Sequence, residues 1–318
     1  MAKGQVFRRH EQNPVLTPGD LPFQVNAIMN PGVAEVDGEI ILLPRIEDAR
    51  GISGIHVARS RNGVDGWEIA PRPLLEPGLP DHPYERWGCE DPRVTKIGPN
   101  KWVIAYTAYS SHGSAVALAI TEDFVTATRL GVILSPPNKD ATIFPEQTPD
   151  GNWLLLHRPV TGAGEHIWYA CSPDMQHWAK PGLLFPEGQG PWWDAERIGV
   201  GAPPIATPAG WLLIYHGVKL LGGHRIYRLG LALLDRRDPR QVLARTARWV
   251  FAPEASYEQH GLVPGVVYTC GALDRDGETW MYYGAADTVI GLAIARTADL
   301  VEFAQQHDFL TKPSYYLE

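Results

Sequence analysis

One order of segments recurs five times along the chain and constrains the fold more than any single motif does. An apolar strand leads through a turn to a second apolar strand, then through a polar loop to a third strand rich in Ala. The first strands read Pro31–Val36, Asp91–Ile97, Ala141–Thr148, Ala202–Thr207 and Val266–Leu273. The second read Ile40–Arg45, Trp102–Tyr109, Trp153–Pro159, Trp211–Gly217 and Trp280–Asp287. The third read Gly54–Ser60, Ala115–Thr121, Ile167–Ser172, Leu229–Leu234 and Gly291–Thr297. Asp37-Gly38, Asp150-Gly151 and Asp276-Gly277 supply the positive φ that tight hairpins require. Units of three or four strands at about 50–65-residue intervals predict an all-β chain, a five-bladed β-propeller forming one domain over residues 1–318. A β-sandwich or two stacked β domains is the competing arrangement. A short outer helix is expected over Ala298–His307.

Composition agrees. The 32 glycines and 28 prolines leave few windows long enough for a good helix. The net charge of −8 argues against nucleic acid or an anionic membrane as the main partner, because either calls for a basic field. No apolar run reaches the roughly 18 residues of a membrane span, and the N-terminus has no apolar signal core, so a cytoplasmic protein is expected. Three cysteines without a CxxC spacing make neither a disulfide framework nor a thiolate zinc site. HExxH, P-loop, GxGxxG, EF-hand and GxSxG patterns are all absent, and the histidines show no metal spacing. No metal and no cofactor is expected.

The strand ends carry the chemistry. Second strands finish in Arg45, Tyr109, His157-Arg158, His216 and Asp287, and first strands open near Asn30, Asp91 and Lys139-Asp140. In a propeller these positions converge at one end of the axis. Any one of them is as well explained by a structural hydrogen bond. As a set they favour a ligand site. The mixture of cations, neutral donors (Tyr283 among them) and a few carboxylates suits sugar hydroxyls together with an anion.

Several motifs together resemble glycoside hydrolase family 130: Asn30-Pro31-Gly32, Glu90-Asp91-Pro92-Arg93, Lys139 with Phe144-Pro145-Glu146, His157-Arg158-Pro159, Arg197-Ile198-Gly199 with Gly201-Ala202-Pro203-Pro204, Gly210-Trp211 with Tyr215-His216-Gly217, and Tyr282 to Asp287. The resemblance runs from about Asn13 to Asp299. It implies a five-bladed propeller acting on β-mannosides, in most members as an inverting phosphorylase that gives α-mannose 1-phosphate. It makes Asp91 the general acid, its proton passing through a sugar hydroxyl. It places Lys139, His157 and Arg158 on the phosphate side. It gives Asn30, Arg45, Asp140, His216 and Asp287 sugar- or anion-binding places; Tyr109 and Tyr283, neutral donors at the strand ends, are expected to bind substrate as well.

A phosphorylase needs one protein carboxyl group and cations for the incoming phosphate, whereas an inverting hydrolase needs a second carboxylate to activate water. Lys139, His157 and Arg158 favour phosphorolysis of short β-manno-oligosaccharides, β-1,2-linked by preference, with inorganic phosphate as co-substrate. The alternatives are a β-1,2-mannosidase with Glu196 or Asp194 as base, and a carbohydrate-binding propeller without catalysis. Glu196 also reads simply as the partner of a nearby Arg. A homo-oligomer is compatible with the sequence.

Overall fold

The computed structural model describes residues 6–162 and 164–309. It is nearly all β, with short 3-10 turns, a four-residue helix at Ser256–Gln259 and a longer helix at Thr297–Gln306, where the sequence predicts one. The strands fall into five successive antiparallel groups. The first contains Ala27–Val36 and Glu39–Glu47, the second Gly88–Gly98 to Thr128–Leu134, the third Asn138–Ile143 to Ala179–Phe185, the fourth Arg197–Val200 to Val242–Arg245, and the fifth Val267–Arg275 to Val289–Arg296. A parallel bridge between Ser53 and Gly88 joins the first two groups into one hydrogen-bonded sheet. The fifth group is completed from the other end of the chain: Arg8 and Arg9 pair with Ile294 and Ala293.

The Asp-Gly turns behave as their φ requirement dictates. Asp37 and Gly38 sit at φ +51° and +82°, and Asp276 and Gly277 at +52° and +86°. A second repeated element caps the loop after the third strand. Asp123 accepts the backbone N–H groups of Val125 and Thr126, Asp174 those of Gln176 and His177, and Asn62 those of Val64 and Asp65. These recurring polar residues are turn formers.

Apolar side chains bury between groups as well as within them. One cluster packs the first group on the second through Ile41, Leu43, Ile104 and Tyr106. Others join the second to the third through Val103 and Ile143, the third to the fourth through Leu156 and Trp211, and the fourth to the fifth through Leu231 and Met281. A fifth cluster returns from the fifth group to the first through Tyr282, Leu292, Ile40 and Leu42. First strands approach each other closely: a Cβ on Gly271 would lie 2.6 Å from the carbonyl oxygen of Pro31. Two expected strands differ from the sequence reading. The third strand of the first group breaks at His56-Val57, and Ala202–Thr207 is interrupted by Pro203-Pro204, whose missing N–H groups end the ladder.

Candidate active site

Three first strands break register at the same place, between Met29 and Gly32, between Glu90 and Arg93, and between Lys139 and Thr142. At each break a polar residue adopts the left-handed conformation: Asn30 at φ +46°, Asp91 at +51° and Asp140 at +53°. Asn and Asp tolerate this region better than other side-chain-bearing residues, and a bulge re-aims the side chain it carries. The three side chains thereby enter one buried polar cluster.

Asp91 is 3% exposed. Its Oδ1 accepts hydrogen bonds from Asn30 Nδ2 at 2.9 Å and Arg45 Nη1 at 3.3 Å. Arg45 also donates to Glu90 Oε1 at 3.0 Å and to Ser53 Oγ at 2.8 Å. Burial acts to raise the Asp91 carboxyl, but the charges of Arg45 and Lys139 and the Asn30 bond outweigh it and hold Asp91 below the usual carboxylate range. Glu90 is pushed up, by burial first and by the neighbouring Asp91 charge. Asp287, half-buried at φ +49°, feels the same neighbours: burial and Asp91 lift it to about 6 against the pull of Arg45 and Lys139.

A second focus surrounds Asp140. It accepts from Arg158 Nε at 2.7 Å and from the Tyr268 hydroxyl at 2.7 Å, with His216 Nε2 3.5 Å away. Burial opposes its charge, yet Arg158, Lys139, His216 and Arg93 hold it well below the ordinary range. Asp140 is fully buried, and its carboxylate holds Arg158 in place. Lys139 stands opposite Arg158 in the strand pairing, and its charge acts on Asp91 and Asp140 alike. The two histidines are neutral: burial lowers His157 to about 4 and His216 to about 3. His157 Nδ1 lies 3.1 Å from Asn138 Oδ1, while His157 Nε2, His216 Nδ1 and Asn30 Oδ1 have no partner in the protein.

Four expected site residues lie outside this buried cluster. Tyr283 is fully buried with its hydroxyl donating to Glu258 at 2.8 Å, 3.1 Å from the Tyr257 hydroxyl and against Phe251, so it belongs to the packing of the fourth group on the fifth. Both faces of its strand are covered, and alternation sends Tyr282 and Tyr283 into opposite interfaces. Asp194 accepts from Arg245 Nη2 at 2.6 Å and from the Tyr215 hydroxyl at 3.2 Å, away from every group that touches Asp91. Glu196 is bound by Arg225 Nε at 2.6 Å and Arg197 Nη2 at 3.2 Å; burial raises its carboxyl, but these arginines lower it overall. Tyr109 is 39% exposed, outside the buried cluster, with its ring edge-on to Trp87.

A family model described as beta-1,4-mannooligosaccharide phosphorylase matches residues 6–306. The chain belongs to glycoside hydrolase family 130. Among relatives of this family 130 chain, a 1,2-beta-oligomannan phosphorylase from Thermoanaerobacter sp. strain X514 is 34% identical over 310 residues, covering 92% of this chain and 98% of that protein. A beta-1,2-mannobiose phosphorylase from Listeria innocua is also 34% identical, over 88% and 93% of the two chains. A structure of the beta-1,2-mannobiose phosphorylase from Listeria innocua in complex with beta-1,2-mannobiose superposes with a TM-score of 0.86 at 31% identity, covering 94% and 99%.

Within this family 130 chain, two groups escaped assignment as site residues from sequence. Arg93 is 1% exposed and reaches across the centre, donating to Gly201 O, Val200 O, Asp91 O and the Tyr268 hydroxyl. Tyr268 in turn holds Asp140. The signal for Arg93 was its place beside Asp91 in Glu-Asp-Pro-Arg; Tyr268 sits in an apolar run with no such mark. Among the described residues, no group of three or more His, Cys, Asp or Glu side chains is arranged to hold a metal ion, and no helix is long and apolar enough to cross a membrane.

Proposed function

We propose that this chain is an inverting β-mannoside phosphorylase that cleaves short β-1,2-linked manno-oligosaccharides with inorganic phosphate to give α-mannose 1-phosphate. The observation that carries the reading is the position of Asp91. It is one buried carboxyl under the charges of Arg45 and Lys139, and Lys139 pairs with Arg158 on the next strand. The names of the relatives support the substrate class and the β-1,2 linkage. The architecture we assign is a single-domain five-bladed propeller, supported by five apolar clusters that link the strand groups in cyclic order.

In this mechanism a phosphate oxygen held by Lys139, His157 and Arg158 attacks C1 of the terminal mannosyl residue on the face opposite the leaving group. The C1–O bond to the acceptor sugar breaks, and the leaving oxygen receives a proton originating on Asp91 through a sugar hydroxyl. Guanidinium and ammonium groups suit the phosphate because charge-assisted hydrogen bonds to its oxygens are strong. Phosphate also prepares the acid. Its charge offsets the cations that keep Asp91 low, and burial then dominates and favours the protonated form. No cofactor takes part in this scheme. Hydrolysis would need a second carboxylate as base, and the two candidates are engaged by arginines, Asp194 by Arg245 and Glu196 by Arg225 and Arg197. The three free, buried cysteines agree with a cytoplasmic enzyme.

The test is β-1,2-mannobiose incubated with and without phosphate. The expected result is α-mannose 1-phosphate plus mannose with phosphate, and no cleavage without it. Release of mannose at equal rates under both conditions overturns the proposal in favour of hydrolysis.

A further inference from the structure

Four rings gather at the end of the second strand group where Asp91 lies: Tyr84 and Trp87 precede the strand that carries Asp91, and Tyr109 and His112 stand at and beyond the end of its partner. Trp87 and Tyr109 meet edge-to-face with centroids 5.6 Å apart, and Tyr84 and His112 lie 5.4 Å apart at 47°. Tyr84, Trp87 and Tyr109 are 38%, 44% and 39% exposed. The backbone ties the group together: Trp87 N donates to Tyr109 O at 2.8 Å, and Gly88 pairs with Tyr109 across the strands. Grouped, exposed aromatic surface marks a binding surface more often than a neutral one.

This patch is held rigidly from below. Between Tyr84 and Trp87 in sequence, Glu85 turns inward and is 3% exposed. Its carboxylate accepts from Tyr106 OH at 2.6 Å, Arg129 Nε at 2.9 Å and Cys89 Sγ at 3.3 Å. Arg129 also donates to Glu76 O at 2.8 Å. A short turn whose central side chain is anchored three ways presents its flanking rings in a fixed attitude, which reduces the ordering cost of binding.

We propose that Trp87 and Tyr109, with Tyr84 and His112 beside them, form an outer sugar-stacking platform for manno-oligosaccharides longer than the disaccharide. The inference rests on the phosphorylase reading of the site. A terminal mannosyl residue that reaches Asp91 occupies the buried end, so the remainder of a longer chain must leave through the mouth. Trp87 precedes Asp91 by four residues, a reach of at most about 13 Å along the backbone, which suits sugars beyond the first acceptor residue. Aromatic faces suit pyranose rings because they cover apolar C–H surface while leaving the hydroxyls in water.

The experiment compares Trp87→Ala with the unaltered protein on β-1,2-mannobiose and β-1,2-mannotetraose, with initial rates at saturating phosphate and calorimetric binding without phosphate. The expected result is a KM and a dissociation constant for mannotetraose raised about fivefold or more, the usual cost of truncating an aromatic anchor, with less than a twofold change for mannobiose. Tyr109→Ala should act in the same sense, and Trp87→Phe should restore most of the affinity. Equal effects on the two sugars, or none on mannotetraose, overturn the proposal. The binding arm reads the platform even if cleavage proves independent of phosphate, so failure of the platform and failure of the phosphorylase reading are distinguishable.

Discussion

Asn30 Nδ2 donates to Asp91 Oδ1 at 2.9 Å, joining two residues that both sit in the left-handed conformation at bulges in neighbouring strand groups. The bond favours the ionised form of Asp91 and so sets how readily the acid keeps its proton.

Asn30→Gly removes the donor while retaining a residue that accepts φ +46° without strain. Loss of a hydrogen bond to the carboxylate raises the Asp91 pKa. For a group that works protonated, the alkaline limb of kcat/KM then moves to higher pH. A pH profile of both proteins measures the shift; a limb that stays in place or moves to lower pH contradicts the role of this bond.

Asp91→Asn removes the proton source with little change in shape. Turnover with phosphate should fall by about 10²–10⁴-fold, the usual contribution of a positioned acid, while mannobiose binding changes by a few-fold at most. Rates and calorimetry on the same preparation separate the two effects. Retention of full activity removes Asp91 from the mechanism.

Glu196→Gln tests the competing base. With its carboxylate already engaged by Arg225 and Arg197, the substitution should change the phosphate-dependent rate by less than about threefold, as for a rim ion pair. A loss of two or more orders of magnitude would assign Glu196 to catalysis.

Asp140→Asn leaves Arg158 and Arg93 buried beside a neutral amide. Removing one partner from a buried charge network costs about 3–5 kcal/mol, and urea unfolding should register a loss of that order. Misplacement of Arg158 should also raise the KM for phosphate. Unchanged stability would mean that Glu165 is sufficient for Arg158, and Tyr268 and the backbone carbonyls for Arg93.

His157 is neutral in the folded protein, with a pKa of about 4 against an ordinary 6.5. Between those values the unfolded chain binds the proton more readily, so this group's contribution to stability is complete above pH 6.5 and lost as pH falls toward 4. Asp287, raised to about 6, acts in the opposite direction, favouring the folded state at low pH and losing that effect as pH rises through 6. The difference between the unaltered protein and His157→Asn isolates the histidine. The gap in Tm should narrow as pH falls from 7 to 4; a constant gap would mean an imidazole that titrates alike in the folded and unfolded chain.

The strand groups were legible because each second strand is a long apolar run behind a turn, as at Asp276-Gly277 before Glu278–Ala285. The cluster residues were legible because polar groups at strand ends are conspicuous after such runs. Side-chain direction was less accessible. Tyr282 and Tyr283 are adjacent aromatic residues on a strand buried on both faces, so alternation offers no polar side to mark which interface each one enters. The bulges at Asn30, Asp91 and Asp140 depend on how first strands pack around one another, a long-range condition that local sequence does not encode. The engagement of Asp194 was hidden for a similar reason: its partner Arg245 lies 51 positions away.

The pairing of Arg8–Arg9 with the final strand, Val289–Arg296, has a consequence for synthesis and engineering. Arg8–Arg9 are made long before Val289–Arg296, so this seam closes only once both distant segments exist. Such sequence-distant pairing predicts slow closure. It also makes disruption of Phe7–Arg9 costly, because Phe7 is 2% exposed in the core and Arg9 is bound to Glu258, and it favours affinity tags that leave this short strand its backbone partners.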